Sequence, residues 1–105
     1  MAILQDPPAF VRGPGVDNLE VVANGAALTI RPGVGVEWII ETLIYGGACT
    51  IALTDGNNPV TESTEAAAGV TEKCELHITR DLYITITNTS GGNQPFGYVG
   101  YGLLV

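Results

Sequence analysis

The sequence predicts an all-β domain, a two-layer β-sandwich of jelly-roll-like type with seven to eight short strands. Three observations predict it. In residues 74–88, Cys74, Leu76 and Ile78 point one way with Glu75, His77 and Thr79 between them. After Arg80-Asp81 the apolar series resumes at Leu82, Ile84 and Ile86, with Tyr83, Thr85 and Thr87 between. A period of two over this length means half-buried strands, each with a dry and a wet face. Turn-forming residues also punctuate the chain at spacings near ten residues. Finally, no stretch carries the 3.6-residue pattern of a three-turn helix.

Residues 1–15 read as an extended N-terminal arm, because Pro7-Pro8 and Arg12-Gly13-Pro14-Gly15 favour extended or turning backbone without regular pairing. The arm carries Ile3, Leu4, Phe10 and Val11, which water would not solvate well. Packing along its own domain and docking on a neighbouring subunit both satisfy them. Residues 16–105 form the single β-sandwich domain. Residues 18–23 are a first strand, Asn24-Gly25 a two-residue hairpin turn that tolerates positive φ, and residues 26–31 the returning strand. Pro32-Gly33 ends it.

The longest apolar strand is residues 36–45. Strict alternation puts Val36, Trp38, Ile40, Thr42 and Ile44 on one face and Glu37, Ile39, Glu41, Leu43 and Tyr45 on the other, so both faces are partly covered. Residues 48–54 form a strand closed by Asp55-Gly56-Asn57-Asn58-Pro59. Residues 60–68 are polar and alanine-rich, suited to a short edge strand or an irregular crossing. Strands at 70–79 and 82–88, a loop at 89–95 and a glycine-interrupted strand at 96–105 complete the chain. The expected core is Trp38, Ile40, Ile51, Leu53, Cys74, Leu76, Ile78, Leu82, Ile84 and Ile86.

Composition narrows the function. The 105 residues make one domain. Charged residues are 14% of the chain, against about 25% in a usual globular domain, so much of the surface is neutral or covered by a partner. The net charge of −7 argues against nucleic acid, since Arg12, Arg31, Lys73 and Arg80 are too few and too scattered for a phosphate-binding stripe. Anionic membranes are disfavoured likewise, and no stretch has the roughly 18 apolar residues of a membrane helix. Met1-Ala-Ile-Leu-Gln-Asp-Pro-Pro does not read as a signal peptide. Cys49 and Cys74 lack metal-ligand spacing and fall in phase with apolar neighbours, so buried free thiols are favoured over a disulfide.

No residue pattern calls for catalysis. His77 is the only histidine and sits on a wet strand face, so it suits neither a nucleophile's base nor a multi-histidine metal site of the cupin kind. Glu37 and Glu41 are roughly 13 Å apart along a strand, too far for a glycosidase pair. Glu62, Glu65, Glu72 and Glu75 read as a solvated acidic rim, with calcium there or at Asp55-Asn57 a minor alternative. Asn88-Thr89-Ser90 matches the glycosylation acceptor pattern but has no leader to give it meaning. No catalytic residue, cofactor or metal is expected. Trp38, Tyr45, Tyr83, Phe96, Tyr98 and Tyr101 suit packing better than a sugar platform, since Tyr98 and Tyr101 fall at odd and even strand positions.

One arrangement resembles a known class. Pro32-Gly33 is followed by Val36-Glu37-Trp38-Ile39-Ile40, Ala52-Leu53-Thr54-Asp55-Gly56, Leu82-Tyr83-Ile84-Thr85-Ile86-Thr87-Asn88 and Gly97-Tyr98-Val99-Gly100. The pattern, loose and confined to roughly residues 32–100, is similar to small virion structural proteins of tailed bacteriophages, the capsid decoration (cement) type and related head-fibre or spike modules. The resemblance implies a non-enzymatic jelly roll made in the host cytoplasm and placed on the virion's capsid surface. It further implies a homo-oligomer, dimer or trimer, that reinforces the major capsid protein. Ile3, Leu4, Phe10 and Val11, with Leu103, Leu104 and Val105 at the other end, are the candidate partner contacts. The alternative is a carbohydrate- or receptor-binding β module of a head fibre or tail spike.

Overall fold

The computed structural model describes residues 11–104 and contains eight strands: β1 (Val11–Val22), β2 (Ala27–Ile30), β3 (Trp38–Tyr45), β4 (Cys49–Thr54), β5 (Val60–Glu65), β6 (Gly69–Ile78), β7 (Tyr83–Asn88) and β8 (Gln94–Leu104). They form two antiparallel four-stranded sheets, β1-β8-β3-β6 and β2-β7-β4-β5. The pairs β4:β5, β3:β6, β2:β7 and β1:β8 trace one long hairpin. Rolling it up adds the β8:β3 and β7:β4 ladders. This is the eight-stranded jelly roll, a two-layer β-sandwich.

The core fills the space between the sheets. Ile40, Leu43, Ile78 and Phe96 from the first sheet meet Ile30, Ile51, Ile84 and Ile86 from the second, all but fully buried. Trp38, Leu53, Cys74 and Leu76 are partly buried and pack against this cluster. Leu82, expected in the core, is 47% exposed instead. It closes the Thr79–Leu82 turn, where the Thr79 amide donates to its carbonyl and its own amide donates to Thr79 Oγ1, so β7 starts one residue later. Tyr83, placed by alternation on the wet side, is buried beneath the Arg31 guanidinium, 4.3 Å from the ring centre.

Alternation also breaks in β3. The register shifts between Ile40 and Thr42 against both neighbours: Glu41 is an extra residue against β8, and it faces the three residues 73–75 of β6. Such a bulge reverses the facing of everything beyond it. Trp38 and Ile40 point inward as expected, but Leu43 and Tyr45 follow them while Thr42 and Ile44 turn outward. Opposite the bulge, Glu75 of β6 takes a left-handed φ of 46°. β1 begins at Val11, so residues 11–15, read as arm, pair with β8 across a shift between Arg12 and Gly15.

Four connections gather at one pole: residues 23–26, 46–48, 66–68 and 89–93, all of them Ala, Gly, Ser, Thr or Asn. Gly25, with φ 84°, makes the Asn24-Gly25 hairpin possible. Its amide donates to the Asn88 carbonyl at 2.8 Å, and the Gly91 amide donates to Asn24 Oδ1 at 3.0 Å. Asn88 is buried completely and fully satisfied. Its Nδ2 donates to the Val22 and Gly92 carbonyls, both at 2.8 Å, and its Oδ1 accepts from the Ser90 amide. Both amide hydrogens of the glycosylation pattern are therefore committed inside the fold.

Candidate interaction surface

The two sheets present opposite chemistry to the outside. On the β2-β7-β4-β5 sheet the outward rows read Ala27, Thr87, Thr50, Thr64 and then Thr29, Thr85, Ala52, Thr61. Hydroxyls and methyls of this kind sit easily in water. On the β1-β8-β3-β6 sheet, Val16 and Val22 of β1 and Phe96 and Tyr98 of β8 point into the core, so Leu19, Val21 and Val99 point out. The register then aligns Leu19, Gly97, Ile44 and Val70 in one outward row across all four strands. The next row is Asp17, Val99, Thr42 and Glu72, and the one beyond is Gly15, Tyr101, Ile39 and His77.

This face is open and apolar. Leu19 is 61% exposed, Val21 69%, Val70 53% and Val99 42%, with Ile39, Ile44 and Tyr101 half-buried among them. Gly97 contributes no side chain between Leu19 and Ile44. A depression of about 380 Å³ on this face is lined by Asp17, Asn18, Leu19, Ile44, Tyr98 and Val99. The carboxylates Asp17 and Glu72 flank the patch on its two edge strands. Burial pushes the Tyr98 phenol above its ordinary range, helped by nearby Glu20 and Asp17.

Three titratable side chains, His77, Cys74 and Asp55, are bound into local structure. His77 Nε2 donates to Glu37 Oε1 at 2.6 Å, with both side chains exposed. The Cys74 thiol donates to the Ile40 carbonyl at the bulge, 3.2 Å away, and burial raises its pKa. Cys49 and Cys74 are both free thiols. Asp55 Oδ1 accepts from the Asn57 and Asn58 amides and Oδ2 from the Asn58 side chain. These bonds, the side-chain one foremost, hold its carboxyl below the usual range. A second hollow, about 280 Å³, is lined by Glu41, Thr42, Glu72 and Glu75. Among the described residues no three His, Cys, Asp or Glu side chains are placed to hold a metal ion.

Three of the expected contact residues, Val11, Leu103 and Leu104, are described, and they lie at one corner of the β1-β8-β3-β6 sheet. Ile3, Leu4, Phe10 and Val105 lie outside the described residues. Val11 and Leu104 pair as neighbours at the starting end of β1 and the finishing end of β8, and Leu103, half-buried, pairs with Arg12 beside them. Alternation along single strands does not reveal this apolar face, and three of its members show why. Ile44 was phased inward by strict alternation across the bulge, and Leu19 and Val21 were read within a strand whose facing was left unassigned. Pairing each outward residue of β1 with β8 supplies the missing signal.

No family model matches the sequence, and no curated protein matches it. Among solved structures the chain is similar to the core of Drosophila NLP, a structure described as giving insight into pentamer formation and histone binding. The shared feature is the fold. The likeness covers 82% of this chain and 96% of that one, with a TM-score of 0.51 at 8% identity.

Proposed function

We propose that this chain is a non-enzymatic virion structural protein, a homo-oligomer that decorates and stabilises the capsid surface of a tailed bacteriophage through contacts with its major capsid protein. The open apolar face of the β1-β8-β3-β6 sheet carries this reading, because a molecule that works by burying surface needs such a face and no reactive group. The described candidates for chemistry support it too. His77, Cys74 and Asp55 each spend their hydrogen bonds on local structure. A ligand that binds only the assembled shell adds its binding free energy to the shell's stability by mass action. That a jelly roll of like fold, the Drosophila NLP core, has been studied for pentamer formation supports self-assembly as the mode of action.

A carbohydrate- or receptor-binding role is less well supported. Tyr98 points inward and stacks with Trp38 at 6.3 Å between ring centres, while Tyr101 lies on the outward side, so the two do not share a platform. The test is co-sedimentation with shells assembled from the cognate major capsid protein. The full chain is expected to pellet with the shells and to raise the temperature at which they come apart. Deleting residues 1–10 removes Ile3, Leu4 and Phe10, leaves β1 whole, and is expected to weaken shell binding at least about tenfold. A full chain that stays in the supernatant would rule the decoration role out. Undiminished binding by the shortened chain would remove the arm from it.

A further inference from the structure

The turn between β1 and β2 holds the one Asn-Gly pair of the sequence, Asn24-Gly25. Asparagine is a chemically labile residue, and a following glycine makes it more so, because no side chain hinders the glycine nitrogen. That nitrogen can lose its proton and attack the asparagine Cγ. An N–Cγ bond forms, the Cγ–Nδ2 bond breaks, and ammonia leaves. Water then opens the cyclic succinimide to aspartate or isoaspartate. The sum is one water consumed and one ammonia released, with no other reactant. Asn24 and Gly25 are both exposed, so water and hydroxide reach them.

The fold keeps the reacting atoms apart. The Ala26 amide donates to the Ala23 carbonyl at 3.0 Å, and Gly25 has a φ of 84° while Asn24 stays out of the positive region. These features define a type II turn. Ring closure requires the Gly25 nitrogen to swing about the Asn24 Cα–C bond until it eclipses Cβ, and a turn of this type holds it far from there. The nucleophile is also occupied. The Gly25 N–H donates at 2.8 Å to the carbonyl of Asn88, a residue buried completely. The electrophile is tied to the same neighbour segment, where Asn24 Oδ1 accepts from the Gly91 amide at 3.0 Å. The other Asx-Gly pair, Asp55-Gly56, does not compete. An ionised carboxylate offers no leaving group, and three hydrogen bonds from Asn57 and Asn58 keep this one ionised.

We infer that Asn24 is a latent deamidation site, closed by the contact of the β1–β2 turn with residues 88–91 and opened only when that contact lets go. Conversion is one-way. Isoaspartate routes the main chain through the side-chain carbon and lengthens the turn, so the hairpin cannot close again as before. Either product adds a negative charge to a pole whose connections carry none. The inference is independent of the decoration role.

The experiment is incubation of the full chain at mildly alkaline pH, in buffer and in urea, followed by peptide mass mapping that separates asparagine, aspartate and isoaspartate. In urea Asn24 is expected to convert before every other asparagine. In buffer it is expected to convert at least about tenfold more slowly, because the reaction waits for local opening. Hydrogen exchange of the native chain is expected to show a protected Gly25 amide despite its exposure. Asn88→Ala removes the side-chain bonds to the Val22 and Gly92 carbonyls and keeps the acceptor carbonyl. It is expected to speed native conversion at least about tenfold. Ser90→Ala, which removes only the hydroxyl bonds to Gly92, is the milder variant should Asn88→Ala fail to fold, and is expected to act in the same direction. Equal rates in buffer and urea, a freely exchanging Gly25 amide, or another asparagine converting first in urea would each overturn the inference. Folded variants that convert no faster than the parent chain would overturn the assigned contact.

Discussion

Cys49 sits between the sheets with no exposed surface, and burial there, with a smaller push from the Glu65 charge, raises its thiol pKa from 9.0 to about 11. The folded state thus holds this proton more tightly than the unfolded state. Below about pH 9 both states keep it and the full contribution to stability is present. Between 9 and 11 the unfolded chain releases the proton while the folded one retains it, so stability falls across that window by on the order of 2–3 kcal/mol. Urea midpoints measured from pH 8 to 11 are expected to show this slope, and Cys49→Ala is expected to flatten it. An identical slope in the variant would move the effect to Cys74 and Tyr98, whose burial acts in the same direction. The inward phase of Cys49 was legible in the sequence because Ile51 and Leu53 share its alternation. Leu82 was not, because a turn set by the Thr79 hydroxyl overrides a periodic pattern at its last position.

Among the elements, β8 is the most constrained. It lies between β1 and β3, and its glycines let neighbouring backbones come close. A Cβ at Gly100 would lie 2.2 Å from the Ile39 carbonyl oxygen and 2.9 Å from the Ile40 Cα, and one at Gly97 would lie 2.1 Å from the Asn18 carbonyl oxygen. Backbone cannot yield as a flexible side chain does. Gly100→Ala is therefore expected to cost about 3 kcal/mol, lowering the melting temperature by about 12 °C or more. Gly33→Ala, with nothing within 4 Å of the added atom, serves as the control and is expected to change stability by less than about 0.5 kcal/mol. Equal melting temperatures for the two variants would show that β8 adjusts where the structure says it is held. The glycine interruptions of this last strand were legible in the sequence, where an interior strand glycine marks a bend or a close backbone approach. The bulge at Glu41 gave no such signal. It arises from register against two partners at once, β6 and β8, and neither pairing can be read from β3 alone.

At the scale of the whole molecule, the strand count and the sandwich were legible because turn chemistry marks nearly every junction. The order β1-β8-β3-β6 was not, because it depends on which distant strands meet. That order makes most pairings non-local: Val11 aligns with Leu104, and Val22 with Gln94. Loops that long must close before their contacts repay the entropy, so refolding of the monomer is expected in the millisecond-to-second range. Stopped-flow fluorescence of Trp38 after dilution from urea is the measurement, and a microsecond phase carrying the full amplitude would contradict it. The same topology has a consequence for synthesis. β1 leaves the ribosome before the other seven described strands, yet its partner among the described residues, β8, follows about 70 residues later. At about 5–20 residues per second that is a wait of some 4–14 s. Throughout it the nascent chain carries Leu19, Val21 and Val22 with both strand edges unpaired, which makes β1 the segment a chaperone would have most reason to hold.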